Sequence, residues 1–289
     1  MDQLRQSQPS RSTEKVIGKF SLLATALLAA LLNVSVAAEV NYQLDLAQVK
    51  QQQAEITMRL TNVEKGPVTI VMASASPGRY ARHDFAKNIF DLRAFDAEAK
   101  PLQLTRTSAA TWQVVADSKD IVVKYRLFAD HADGTYSQID RRHAHLNIPA
   151  TFMFAPAFSA EPVNLSIVNK PQQWRVASQL AQVQGQWRAK NLDDFMDSPL
   201  EISEHQLLSF TQSSHGNNYQ INIALHHQGT AAQGEHLKTL VQAFVKEQQA
   251  IFGELPDYAG KQYTFLADYL PAVASDGMEH RNSTVVTDD

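Results

Sequence analysis

The 289-residue sequence has no cysteine. That excludes disulfides, thiolate metal sites and cysteine nucleophiles together. Charge of one sign is also lacking. The formal net charge is -4, which gives no electrostatic case for nucleic acid as a partner. No apolar run reaches the roughly 20 residues that cross a bilayer as a helix. The G-x-S-x-G, P-loop and G-x-G-x-x-G motifs do not occur, and neither does H-E-x-x-H, the i and i+4 pair with which a helix clamps zinc. What remains is ordinary globular usage, 44% hydrophobic and 19% charged, in a chain long enough to bury a full core without staples.

The longest apolar stretch covers residues 20–32. Arg5, Arg11, Lys15 and Lys19 precede it, and Ser35, Val36, Ala37 and Ala38 follow. A basic start, a short apolar run and small residues are the order of a secretory signal. Residues 1–38 are therefore expected to be a leader cleaved near Ala37 or Ala38, or, in the other reading, an anchor left uncleaved. Export to a bacterial periplasm suits a chain without thiols. Loss of the leader removes four basic residues against Asp2 and Glu14, so the mature chain is more acidic.

From Val40 onward the pattern is mostly period two. Tyr42, Leu44 and Leu46 alternate with polar residues, as do Ile56, Met58 and Leu60, and residues 121–128 read as a strong strand. Short strands between turn signals predict a mainly β fold with an antiparallel β-sandwich over 39–228. Tyr219, Ile221, Ile223 and Leu225 extend the alternation to the end of that range. At Gly229 the texture changes. Leu237, Leu240, Val241, Phe244, Val245, Ile251 and Phe252 fall at helical spacings, with Thr230 placed to cap the start and Gly253 to end it. Strands follow at 262–266 and 282–287. The pattern over 229–289 predicts the start of a second, α+β unit that stops in mid-domain.

Histidine spacing is uninformative about metal. His143 and His145 would share one face of a strand, but two ligands are too few alone. His226 and His227 would face opposite ways. Asp193, Asp194 and Asp197 lack the ligand ladder of a calcium loop and read as a solvated turn. Ser76-Pro77-Gly78-Arg79-Tyr80 fits a type II turn, because Gly accepts φ > 0. Gly277-Met278-Glu279-His280 enters a strand. Gly277 there lets another backbone approach closely. Glu279 is either a surface residue of a strand-entry turn or a carboxylate able to bind a free α-amino group.

Three of these segments, in this order, resemble the glycyl aminopeptidase family of zinc metallopeptidases (metallopeptidase family sixty-one). Ser76 to Tyr80 with Arg82-His83-Asp84-Phe85-Ala86 is similar to the family's P-G-x-Y followed by Arg, Asp and Ala. Ala75 and Ser76 stand where a Trp is usual. Asp193 to Pro199 is similar to its L-x-D-S-P segment, and Asp276 to Ser283 to its G-G-x-E-H-x-x-S. The resemblance implies a β-sandwich followed by a thermolysin-like catalytic domain and usually a PDZ domain. It implies zinc-dependent peptide hydrolysis, with zinc held by an H-E-x-x-H helix and a later Glu. Gly277, Met278, Glu279 and His280 would line the cleft, with Glu279 meeting the amino terminus of a peptide substrate. No H-E-x-x-H occurs here, so this chain is expected to hold no zinc ligands, no cofactor and no catalytic residues of its own. It would be a fragment that contributes a β domain and a substrate-facing strand, the catalytic and PDZ domains being its missing partners. A stand-alone module that binds peptides without cutting them is the alternative.

Overall fold

The computed structural model describes residues 38–271 and 273–289. Residues 1–37 of the expected leader lie outside the described residues. Strands dominate the rest, and the fold is mainly β. The largest sheet has eight strands. From edge to edge they are Ala181–Val183, Gln186–Ala189, Val163–Val168, Val40–Asp45, Gln53–Leu60, Ile121–Phe128, Ile89–Phe95 and Pro101–Leu102. Period two explains its buried face: Tyr42 is opposite Met58, and Met58 is opposite Val123, and all three are buried. The expected antiparallel order needs one correction. Val40–Asp45 runs parallel to Val163–Val168. More than a hundred residues separate these two strands, so no hairpin forces them to be antiparallel.

Two smaller sheets close the sandwich. Gly66–Val71, Thr111–Ala116 and Leu104–Ser108 form one. The other runs Gln138–Ile139, β1 (His143–Leu146), β2 (Leu200–Ser203) and Arg175–Ser178. Every residue of β1 and β2 is buried, so this sheet is a middle layer. Ala144, Leu146, Leu200 and Ile202 enter the sandwich core. Alternation sends His143, His145 and Glu201 to the opposite face. The short helix α1 (Leu192–Met196) leads into β2 and is anchored by Phe195, which stacks on Tyr42 at a centroid distance of 5.1 Å.

The middle layer packs on a five-stranded sheet made of β3 (Gln206–Ser214), β4 (Asn217–His227), β5 (Gln262–Tyr269), β6 (Asp276–Glu279) and β7 (Ser283–Asp288), ordered β3-β4-β5-β7-β6. β4, β5 and β7 are parallel, and β6 returns antiparallel on β7 as an edge strand. Here the expected grouping is corrected. β3 and β4 belong with the strands after residue 229, not with the sandwich. Their alternation announces strands but not partners, and the parallel pairing of β4 with β5 is set by the helix between them. That helix is α2 (Ala231–Phe252), with Thr230 and Gln233 forming a capping box and Gly253 closing it at φ 85°. Leu237, Val241 and Val245 of α2 cover one face of the sheet. The other face meets the middle layer through Ala177, Ala224, Leu266, Met278 and Val285.

Candidate functional site

The three segments that carry the family resemblance meet at β6. The Arg79 guanidinium pairs with the Asp276 carboxylate and reaches the Gly277 carbonyl at 3.4 Å. Asp276 also accepts from the Gly134 amide at 2.9 Å. Two glycines permit this closeness. A Cβ on Gly78, whose φ is 77°, would lie 2.9 Å from Met278 Sδ, and one on Gly134 would lie 2.7 Å from Met278 Cβ. From the other side, Asp197 accepts from the Arg281 amide at 3.0 Å, and its second oxygen lies 3.2 Å from His280 Nδ1. Gln179 ties the same turn down. It donates to the Asp197 carbonyl at 2.8 Å and accepts from Asn282 N at 3.1 Å and Ser283 Oγ at 2.8 Å. Burial raises the Asp197 carboxyl, but hydrogen bonds from His280 and the Arg281 amide outweigh it and hold the group below its usual range.

These contacts set the orientation of β6. The His280 amide donates to Ser283 across the β6–β7 turn, so Met278 and His280 turn their backbone groups toward β7. By alternation, Gly277 and Glu279 turn theirs to the open edge of the sheet. The side chains divide differently. Met278 and His280 are buried, whereas Gly277 and Glu279 are exposed. Of the four residues singled out from the sequence, two form an accessible rim and two fix it. Arg79, Asp276 and Asp197, which do that fixing, carried no individual signal beyond membership of the motifs.

A second cluster lies between the middle layer and the five-stranded sheet. His143 and His145 from β1, Glu201 from β2, His226 from β4 and Asp268 from β5 converge, all buried. The ring atom His226 Nδ1 is 3.2 Å from His143 Nδ1 and 3.2 Å from Asp268 Oδ1. His145 Nδ1 is 2.8 Å from Asp268 Oδ2. Burial works against the charged forms of His143 and His145. The two carboxylates outweigh it, and His143 is raised to about 9 and His145 to about 10. Asp268 is pushed up by burial but held well below the usual carboxylate range by the facing histidines. Ligand-type atoms of His143, Glu201, His226 and Asp268 all lie within 4.8 Å of one another. His143 and His145 do share a strand face, as their spacing predicts, and His226 and His227 do part. No spacing announced Glu201, His226 or Asp268 as their partners.

The 289 residues contain no H-E-x-x-H, and α2 carries a single histidine, His236.

A sandwich bearing a mixed sheet, with an ordered edge strand where three separated motifs meet, defines a peptidase-related β region. Residues 41–204 match the Peptidase M61 N-terminal domain, more than half of the chain, and the chain belongs to that family. No curated protein matches it. Among solved structures it is similar to an aminopeptidase N family protein from Idiomarina loihiensis, with 21% identity and a TM-score of 0.74 over 86% of this chain and 42% of that one. At that identity the likeness is one of fold. An M1 zinc metallopeptidase from Deinococcus radiodurans aligns with 11% identity and a TM-score of 0.42, over 86% of this chain and 59% of that one. The chain thus spans less than two thirds of the length of either.

Proposed function

We propose that this chain serves zinc-dependent aminopeptidase chemistry as its substrate-facing β region. In this reading the open edge of β6 takes up the backbone of an extended peptide by strand addition, and Glu279 meets the free amino terminus. The observation that carries it is the convergence of three motifs on one edge strand, whose exposed residues are a glycine and a carboxylate. Gly277 has no atom nearer than 4.0 Å to the site of an added Cβ, so its face is uncovered; its amide donates to Asp276 Oδ1 and its carbonyl accepts from Arg79, contacts that an added strand would have to exchange. Met278 and His280 hold the strand in place from within. The 289-residue sequence holds no H-E-x-x-H, so bond cleavage is assigned to none of its residues. The exposed apolar side chains of α2, Leu240, Phe244, Ile251 and Phe252, offer a face on which further polypeptide of a longer family member would pack. Export to the periplasm is part of the proposal and rests on residues 5–38. Fractionation that finds the chain in the cytoplasm would remove that part.

The test is titration of the full chain with a short alanine peptide, free or acetylated at its amino terminus, followed by amide NMR shifts. Shifts confined to Gly277–His280 and their neighbours, seen with the free peptide and lost with the acetylated one, are expected. Glu279→Gln should then weaken binding about twofold to fivefold, because an exposed ion pair contributes roughly up to 1 kcal/mol. Equal shifts with both peptides would remove Glu279 from the role. Shifts at the far edge strand β3 would remove β6.

A further inference from the structure

We propose that His143, Glu201, His226 and Asp268 bind one divalent transition-metal ion, zinc by geometric fit, that fastens the middle layer to the five-stranded sheet. Two ligands come from each side: His143 and Glu201 from β1 and β2, His226 and Asp268 from the paired strands β4 and β5.

The distances carry the argument. A tetrahedral zinc ion with bonds of about 2.0–2.2 Å sets its ligand atoms roughly 3.3–3.6 Å apart. Around the cluster, His143 Nδ1 lies 3.2 Å from His226 Nδ1, 3.5 Å from Glu201 Oε1 and 3.7 Å from Asp268 Oδ1. His226 Nδ1 lies 3.5 Å from Glu201 Oε1 and 3.2 Å from Asp268 Oδ1. Two of these five edges fall inside that range and the other three lie within about 0.1 Å of it, while the sixth, between Glu201 and Asp268, is at most 4.8 Å.

Hydrogen bonding accounts for only part of the convergence, chiefly through His226 Nδ1. Glu201 is fully buried, and neither of its carboxylate oxygens has a hydrogen-bond partner. Asp268 Oδ2 and His145 Nδ1 approach to 2.8 Å as an ion pair at the outer side of the cluster. Two desolvated carboxylates cost several kcal/mol each, and a divalent cation matches their charge. The outer nitrogens are arranged as metal-bound histidines require. His143 Nε2 faces Gln138 Oε1 at 2.8 Å, an acceptor that suits a protonated Nε2, so that a metal ion would displace the proton from Nδ1 and take its lone pair. Gln138 is the outer partner which fixes a ligand imidazole. His145 stands against the outer oxygens, 2.8 Å from Asp268 Oδ2 and 3.5 Å from Glu201 Oε2, and its own Nε2 faces the Asp133 carbonyl at 3.0 Å.

Imidazole with carboxylate selects a borderline first-row ion over calcium or magnesium. Four protein ligands leave no open position, so the role is structural. His226 also lines a cleft of ≈ 590 Å³ with Arg142, Glu204 and His205, which gives an ion its way in.

The experiment loads the full, folded chain with Zn²⁺ or Co²⁺, removes free ion, and measures metal content, thermal midpoint and the visible spectrum. One ion per chain, a raised midpoint with Zn²⁺ and the intense d–d bands of tetrahedral Co²⁺ are expected. Asp268→Asn and His226→Gln should abolish retention. Gln138→Leu, which leaves all four ligands in place, should weaken affinity roughly 10- to 100-fold, as loss of an outer partner does. This milder variant and the wild-type cobalt spectrum keep the proposal testable where a ligand variant fails to fold. A folded wild-type chain that retains neither ion, with an unmoved midpoint, would overturn it and leave a protonated histidine–carboxylate network in its place. Stoichiometric binding that survives substitution at Asp268 and His226 would also overturn it, placing the ion on exposed histidines such as His131, His215 or His236.

Discussion

Asp197 joins two parts of the chain that lie far apart in sequence. It closes α1, which the sandwich core holds by Phe195, and it grips the β6–β7 turn through His280 and the Arg281 amide. Its carboxyl is half-buried and held below the usual carboxylate range. A folded-state value lower than the unfolded one contributes stability above the unfolded value, near 4, and loses it as pH falls through the lower folded value. Asp197→Asn should thus reduce the urea midpoint at neutral pH by an amount worth about 1 kcal/mol, the net value of a typical hydrogen bond. It should also flatten the decline in stability below pH 4. Urea melts at several pH values check both, and an unchanged acid limb in the variant would show that Asp197 titrates as it does in the unfolded chain. The sequence marked this residue as one of three acids in a polar turn. Nothing local shows that its partner is a histidine more than eighty positions away, so the motif was legible and its job was not.

At the scale of elements, legibility followed how each one is stabilised. α2 was readable to its ends because both the stripe and the stop signals are local: Leu237, Val241 and Val245 at helical spacing, Thr230 before them and Gly253 after. The cap gives a direct prediction. Thr230→Ala removes the side chain that accepts from Gln233 N and should lower stability by about 1 kcal/mol. Thr230→Ser should lower it by much less, and equal melting of the two variants would argue against the cap. β1 and β2 were harder. A strand buried on both faces is expected to read as a continuous apolar run, but here the second face is filled by His143, His145 and Glu201. Their alternation with Ala144, Leu146, Leu200 and Ile202 imitates a half-exposed strand. Nothing in that alternation says that the polar face is covered, and the cluster takes shape only where the strands pack against β4 and β5.

The whole molecule rests on a contrast between two contacts. The sandwich core is broad, running through all three of its sheets with Tyr42, Phe85, Phe152 and Phe195 among its filled positions. The contact between the middle layer and the five-stranded sheet is narrow. Its apolar part is Ala177, Ala224, Leu266, Met278 and Val285, two of which are alanines on facing layers, and polar contacts supply the rest: the histidine–carboxylate cluster and the bonds of Gln179, Asp197 and Arg79 to β6 and its turn. A core this small carries much of its burial in Leu266. Leu266→Ala should cost about 2–5 kcal/mol, and the loss should fall on the five-stranded sheet and α2 rather than on the sandwich. The tryptophans make this measurable, because Trp112, Trp174 and Trp187 all pack with the sandwich core, while the five-stranded sheet and α2 contain none. In wild type, tryptophan fluorescence and far-ultraviolet circular dichroism should report one coincident urea transition, as a two-state chain requires. In Leu266→Ala the dichroism should begin to fall at a lower urea concentration than the fluorescence. Coincident curves shifted together would show instead that the two contacts act as one cooperative unit, and that the narrow layer between them is as rigid as the core it joins.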